Sequence, residues 1–238
     1  MARTLLVFGA RNLGRAIAEH FAEQGWNVAG AARSDDSLKV FDETFPDGFT
    51  VKGDATDPDF VASACAETRE RFGGLDLLVN AVSPGMRSTG RFGGGPLLEA
   101  TKDDYQHYAT QVIDTAFAFL SAGARSLREG GTIVQITGGS SRRAMPGKGP
   151  WAAGAFGTRA LTQAASLELR EHGIHAALLI VDATIRSPKT AAYTGDAPKD
   201  GLADQGDVAR AVDFLQAQAP TAWTHELQIT PRSDSWTP

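Results

Sequence analysis

Cysteine is nearly missing. Cys65 is the only one in 238 residues, so no internal disulfide can form. It falls inside a helical pattern over residues 60–72, where a lone thiol reads as a small buried hydrophobe. Histidine is sparse and dispersed: His20, His107, His172, His175 and His225 show none of the spacings that bind zinc, and no metal is expected. No apolar run approaches the roughly 20 residues needed to span a bilayer, and the first residues carry no signal-peptide pattern. A cytoplasmic protein without a membrane partner is the expectation. Clustered positive charge is lacking too. The formal net charge is −5 and Arg142-Arg143 is the only basic pair, which argues against nucleic acid as a partner, because phosphate contacts need grouped Lys and Arg.

What is present is an ordinary globular composition, 42% hydrophobic and 21% charged, of a length that suits one α/β domain over residues 1–238. The chain is organised around its N-terminal stretch. The apolar run Leu5-Leu6-Val7-Phe8 reads as a strand buried on both faces. Gly9 permits a tight turn, and Leu13, Ile17 and Phe21 then recur at helical spacing. Strand, glycine turn and helix in this order aim helix N–H groups and the positive end of the helix dipole at a phosphate. The dinucleotide fingerprint of this design has three glycines, whereas only Gly9 and Gly14 occur here. Gly9, Arg11, Asn12, Leu13 and Gly14 are the candidate contacts. A strand-turn-helix with no ligand has the same pattern, so this segment alone leaves both readings open.

Downstream, strands and helices alternate. Residues 26–32 read as a second strand, ending at Arg33-Ser34, where a nucleotide-binding βαβ unit meets the adenosine ribose. An acid there bonds the 2′-hydroxyl, whereas Arg pairs with a 2′-phosphate. Arg33, with Arg11 in the turn, favours NADP(H) over NAD(H). Further strands are expected at 49–52, 75–80, 132–136, 175–181 and 225–230, and helices from about 59, over 102–127, 151–172 and 204–218. On the helix over 102–127, Tyr105, Tyr108, Val112, Thr115, Phe119 and Ala122 fall near one stripe. Residues 83–96, rich in Gly and Pro, read as a loop at the mouth of a site or a mobile flap. Residues 186–201, with Pro188, Gly195 and Pro198, read as an irregular mobile lid. The alternation implies a doubly wound parallel sheet of Rossmann type in a single domain.

Six features occur in order at a shared spacing: the glycine turn, Arg33, Asp54-Ala55, Asn80 after the fourth strand, the two long helices, and Asp207-Val208-Ala209-Arg210 in the last helix. With these in place the chain resembles the short-chain dehydrogenases/reductases over nearly its whole length. The resemblance implies an NADP(H)-dependent oxidoreductase of a small molecule. It places Asp54 and Ala55 in the adenine pocket and Asn80-Ala81-Val82 beside the adenine ribose. Thr137 joins the cofactor set, and Ile185 and Ser187 lie near the nicotinamide amide and pyrophosphate. It also implies a homo-oligomer, dimer or tetramer, packed through the two long helices and the last strand. The small residues Ala152, Ala153, Gly154, Gly157 and Ala160 would let paired helices approach closely.

The family's chemistry rests on an Asn, a Ser and a Tyr-x-x-x-Lys pair, the Tyr giving the proton to the carbonyl oxygen. Anchored on Ser166-Leu167-Glu168-Leu169, the Tyr position falls on Trp151 and the Lys position on Ala155. Counting back through Met145-Pro146-Gly147 puts the Ser position on Gly138, and Phe117 puts the Asn position near Val112. Asp182-Ala183 stand where the family has Pro-Gly. No Tyr-x-x-x-Lys pair exists anywhere in the chain.

Ketone reduction creates an alkoxide and draws on a positioned acid, typically worth ~10²–10⁴-fold. A protonated imine already carries its proton. The expectation is therefore reduction of C=N bonds, with activated C=O as a side activity. Gly138, Ser140 and Trp151 line the substrate pocket, the Trp151 ring faces a cation, and Asp182 supplies a counter-charge. Tyr193, in the lid, is a relocated acid that closure could deliver; Lys148 and His107 are further candidates. Plainer readings stand beside these: Trp151 as a plug in the space a Tyr vacated, Asp182 as a turn carboxylate, Lys148 and His107 as solvated groups. Two other functions fit the same residues, a catalytically silent NADP-binding sensor or partner-binding module and a non-redox cyclase or dehydratase.

Overall fold

Every residue of β1 (Thr4–Phe8) is buried, as its unbroken apolar run demands of a strand covered on both faces. In this computed structural model, which describes residues 2–87, 92–195 and 199–233, β1 lies in the interior of a parallel sheet. The other strands are β2 (Asn27–Ala32), β3 (Phe49–Lys52), β4 (Leu77–Asn80), β5 (Thr132–Gly138), β6 (His175–Val181) and β7 (Glu226–Ile229). They run in the order β3-β2-β1-β4-β5-β6-β7. Val7 pairs with Gly30 on one side and Val79 on the other.

Alternate residues of a strand face opposite sides, and β1 feeds two apolar layers accordingly. Leu5 and Val7 pack with Ile17 and Phe21 of α1 (Leu13–Glu23) and with Val208, Val212 and Leu215 of α8 (Gln205–Gln216). Leu6 and Phe8 pack with Val61, Ala64 and Cys65 of α3 (Pro58–Phe72) and with Ala118 and Phe119 further along. This is the doubly wound arrangement expected from the alternation.

Four local departures have physical reasons. A helix α2 (Asp35–Thr44) follows β2, capped by Ser34, whose hydroxyl accepts from the Ser37 N–H; Leu38 and Phe41 bury it. The helix expected over 102–127 is a succession of α4 (Lys102–Tyr105), a π-turn at Gln106–Thr110, α5 (Gln111–Ala118) and a second π-turn at Phe119–Gly123. Each π-turn inserts an extra residue and rotates the stripe, so Tyr108, Thr115, Phe119 and Ala122 are buried while Tyr105 is half-exposed. The helix expected over 151–172 is α6 (Gly149–Glu168) followed by a tight 3₁₀ turn at Leu169–His172. The segment expected as an irregular lid carries α7 (Pro188–Thr194). Ser187 and Thr190 form a reciprocal capping box and Pro188 occupies the first turn, a start signal that Gly195 and Pro198 obscure.

Gly154 and Gly157 serve the chain internally. A methyl group on Gly154 would stand 2.5 Å from the Tyr108 carbonyl oxygen, and one on Gly157 would stand 2.8 Å from Ile113 Cδ1. Their smallness is thus used within the chain, against the α5 side. Among the described residues, no helix is long and apolar enough to cross a membrane.

Candidate functional site

The strand order reverses between β1 and β4, and in open α/β sheets ligands bind at the carboxyl ends of the strands beside this point. The turn Gly9–Gly14 lies there. Gly9 has φ +89°, and a methyl group on it would sit 2.9 Å from the Ala81 carbonyl. One on Gly14 would overlap the Gly9 oxygen. The turn therefore folds tightly on itself and against the end of β4. Arg11 N–H donates to the Gly9 carbonyl at 2.8 Å, and Asn12 takes up φ 49°, a conformation Asn tolerates better than most side chains. No side chain caps α1 and its first turn holds no acid, so the positive end of its dipole faces the crevice. Leu13 packs into the core behind it.

Arg33 stands at the end of β2 with its side chain 69% exposed, its Nη1 3.6 Å from Asp54 Oδ2. Asp54 is held in place because its other oxygen accepts from the Thr56 N–H and hydroxyl, both at 3.0 Å. Ala55 is buried beside it. Asn80, only 1% exposed, donates to Gln135 Oε1 at 3.0 Å and accepts from the Val82 N–H at 3.0 Å. It thereby orients the Ala81-Val82 backbone next to Gly9. Thr137 is buried on β5. Ser187 and Ile185 lie beyond β6, the Ile185 carbonyl accepting from the Thr190 hydroxyl at 2.8 Å. An uncapped, acid-free helix start behind a glycine turn, with a guanidinium across the crevice, fits a dinucleotide carrying a 2′-phosphate.

On the other side of the crevice, two of the sequence-derived positions meet. A methyl group on Gly138 would stand 3.6 Å from Cζ2 of Trp151, so the indole occupies the space above the end of β5. Phe92 packs edge-on against it with ring centroids 5.4 Å apart, and the Gly93 carbonyl accepts from the Trp151 N–H at 3.3 Å. Gly93, Gly94 and Gly95 all have positive φ, +94°, +96° and +80°; Gly95 bridges to Lys148. The glycine-rich loop is a clasp over the start of α6. Ser140 lies half-buried in the following 3₁₀ turn.

The role expected of Asp182 changes. It is 8% exposed, and Arg143 embraces it, Nη1 at 3.2 Å from Oδ2 and Nη2 at 3.3 Å from Oδ1. Gln228 Nε2 adds a contact at 3.3 Å. A methyl group on Gly139 would overlap its carboxylate. The charge expected to face a cationic substrate is thus committed to a guanidinium, which the sequence reading did not include. Nearby, Glu226 binds Arg159 at 2.7 and 3.1 Å and lies 3.7 Å from Arg142. Burial raises its pKa, but the Arg159 hydrogen bonds and charge outweigh this and hold the carboxyl below the usual range. His107 Nε2 donates to the Gly85 carbonyl at 2.8 Å. Lys148 precedes α6 at its N-cap position. Tyr193 belongs to α7, and its side chain lies outside the described residues. Among the described residues, no group of His, Cys, Asp and Glu could hold a metal ion.

Glycine turn, switch point and exposed Arg33 define a dinucleotide-binding α/β protein. The family model described as enoyl-(acyl carrier protein) reductase matches residues 8–224. Sorbitol dehydrogenase of Cereibacter sphaeroides is 31% identical over 73% of this chain and 67% of its own length. L-2,3-butanediol dehydrogenase of Corynebacterium glutamicum is 29% identical over 69% of this chain and 65% of its own length. The chain thus spans about two thirds of these curated relatives. Among solved structures, a short-chain dehydrogenase/reductase of Brucella melitensis superposes with a TM-score of 0.82 at 25% identity, covering 97% of this chain and 96% of that one. One from Burkholderia cenocepacia in complex with NADP gives 0.81 at 24% identity, covering 97% and 96%. The chain belongs to the short-chain dehydrogenase/reductase family.

Proposed function

We propose that the protein binds NADP(H) in the crevice at β1 and β4 and reduces a small molecule, preferentially at a protonated C=N bond. The observation that carries this is the Trp151 indole over Gly138, an aromatic face where a ketone reductase of this family would have an acid. Arg33 takes the 2′-phosphate, the Gly9–Gly14 turn and the α1 N-terminus take the pyrophosphate, and Asp54 with Asn80-Ala81-Val82 line the adenosine side. NADPH, when bound, supplies a hydride to the C=N carbon while the π pair moves to the already protonated nitrogen, giving a neutral amine and NADP⁺. Trp151 stabilises the cationic substrate through its ring face, an interaction worth ~2 kcal/mol or more when desolvated. Phe92 and the Gly93–Gly95 clasp hold that ring in place. Ala155, fully buried, leaves no lysine to repel the cation. The relatives named sorbitol dehydrogenase and L-2,3-butanediol dehydrogenase favour carbonyls as a second substrate class.

The test is deuterium transfer. The protein is mixed with NADPH deuterated at both C4 positions and a cyclic imine, and the amine is examined by mass spectrometry. One deuterium in the amine is expected. Tight NADPH binding without label in any product would point to a silent binder, and product formed without NADPH consumption to a non-redox enzyme. A homo-oligomer, as the family resemblance implies, belongs to the same proposal and is read by light scattering.

A further inference from the structure

From Ala32 to Asp57, the stretch that frames the adenosine end of the crevice, the chain carries seven carboxylates and three cations, Arg33, Lys39 and Lys52. The balance matters because a 2′-phosphate brings about two negative charges of its own. With Arg33 alone to meet it, negative charge stays in excess, and a phosphate held here calls for a second cation. The Ser34 hydroxyl does not relieve this. It accepts from the Ser37 N–H at 3.3 Å and donates to the Ser37 hydroxyl at 2.7 Å, so it is taken up by the cap of α2. Lys39 lies further along α2, 3.9 Å from Glu43.

Lys52 stands where the second cation is needed. It is the last residue of β3 and pairs with Ala32, the last residue of β2. The Gly53 N–H donates to the Ala32 carbonyl at 3.1 Å, so the turns leaving the two strands start side by side. They are tied twice. Arg33 reaches from the first turn to Asp54 in the second, at 3.6 Å. Lys52 reaches back from the second to Asp35 in the first, at 2.7 Å. Ser34 is the single residue between Arg33 and Asp35. The four side chains are 48–79% exposed, and exposed pairs of this kind hold their partners weakly. Both cations are therefore available to a phosphate, and an ammonium on a flexible four-carbon stem can turn to one as a point charge.

We infer that Lys52 is the second cation on the cofactor's 2′-phosphate, and that Asp35 competes with the phosphate for its ammonium. The inference rests on the role proposed for Arg33 and adds a residue that sets the preference for NADPH over NADH.

The experiment is fluorescence titration of NADPH and NADH on the unsubstituted protein, Lys52→Gln, Asp35→Asn and the double variant Lys52→Gln/Asp35→Asn. Lys52→Gln should weaken NADPH about tenfold, the low end for a charged hydrogen bond, and leave NADH within about twofold. Asp35→Asn should tighten NADPH, because it releases the ammonium. The double variant should bind NADPH about tenfold more weakly than Asp35→Asn. A double variant that binds NADPH as tightly as Asp35→Asn would mean that Lys52 only neutralises Asp35, and would overturn the inference. Arg33→Gln separates the inference from the reading beneath it. Selective loss of NADPH in Arg33→Gln, with none in Lys52→Gln, would overturn the role of Lys52 alone. No selective loss in either variant would overturn 2′-phosphate binding at this turn as well.

Discussion

Trp151 covers Gly138: its Cζ2 is 3.6 Å from where a methyl group on that glycine would stand. At that distance a methyl group at position 138 would make ordinary contact with the indole and a larger side chain would compete with it for one space, while a smaller group at 151 would leave that space open to water. Trp151→Ala is expected to lower kcat/KM for a cyclic imine by about 10- to 30-fold, from a cation–π contribution of ~2 kcal/mol, with NADPH affinity within twofold. Trp151→Tyr should not bring ketone reduction, since no lysine four positions on prepares the phenol. Steady-state kinetics on both substrates check this.

Under the proposed function, Arg33 holds the 2′-phosphate of the cofactor. Arg33→Gln should weaken NADPH binding by about 10- to 100-fold, the worth of charged hydrogen bonds of ~1.5–3 kcal/mol, and leave NADH within about threefold. Fluorescence titration of both dinucleotides distinguishes this from an Arg that merely serves Asp54.

Gly139 has no room for a side chain because the Asp182 carboxylate fills it, and that carboxylate is pinned by Arg143 and Gln228. Gly139→Ala should destabilise the protein by about 1–3 kcal/mol, as overpacking does. Adding Gly139→Ala to Asp182→Ala should cost little more than Asp182→Ala alone, a coupling that thermal or urea unfolding measures.

His175 stacks on Trp223 with centroids 5.1 Å apart and donates to the Thr224 carbonyl at 2.9 Å. Burial holds its pKa below the ordinary 6.5, against the opposing pull of the Thr224 carbonyl. The folded state therefore binds fewer protons here than the unfolded chain. The contribution is complete above about pH 6.5 and declines as pH falls below it. The stability difference between the protein and His175→Gln should shrink from pH 7.5 to pH 5.5, read by urea unfolding.

Cys65 is fully buried, and burial pushes its thiol up to about 12. A thiol reagent at pH 8 should leave it unmodified in the native protein and react promptly in denaturant.

The sheet is legible in the sequence because its strands are short apolar runs between helices of clear period. The glycine turn and Arg33 are legible because a phosphate site calls for particular residues at particular spacings, whereas Asp54 is singled out only through the family resemblance. The Gly138–Trp151 contact is legible only through the family resemblance, which puts the family's Ser and Tyr positions on these two residues. The Arg143–Asp182 pair is not legible: the two are 39 residues apart, and adjacency to Arg142 says nothing of that pairing. α2 carries a short apolar stripe, Leu38, Phe41 and Phe45, but it is only ten residues long, and Ser34 at its cap reads equally well as a cofactor contact. The π-turns are hidden because an inserted residue breaks no composition rule and only rotates the residues after it.

Hydride transfer without a protein acid is decided by one comparison. It is the ratio of kcat/KM for a cyclic imine to that for the ketone of matched shape, with NADPH, at one pH. A site built around Trp151 and lacking a proton donor should give a ratio well above ~10², the low end of what a positioned acid is worth to ketone reduction. A ratio near or below one, with the ketone turned over at a substantial rate, would mean that a proton donor operates in this site and that the imine reading is wrong.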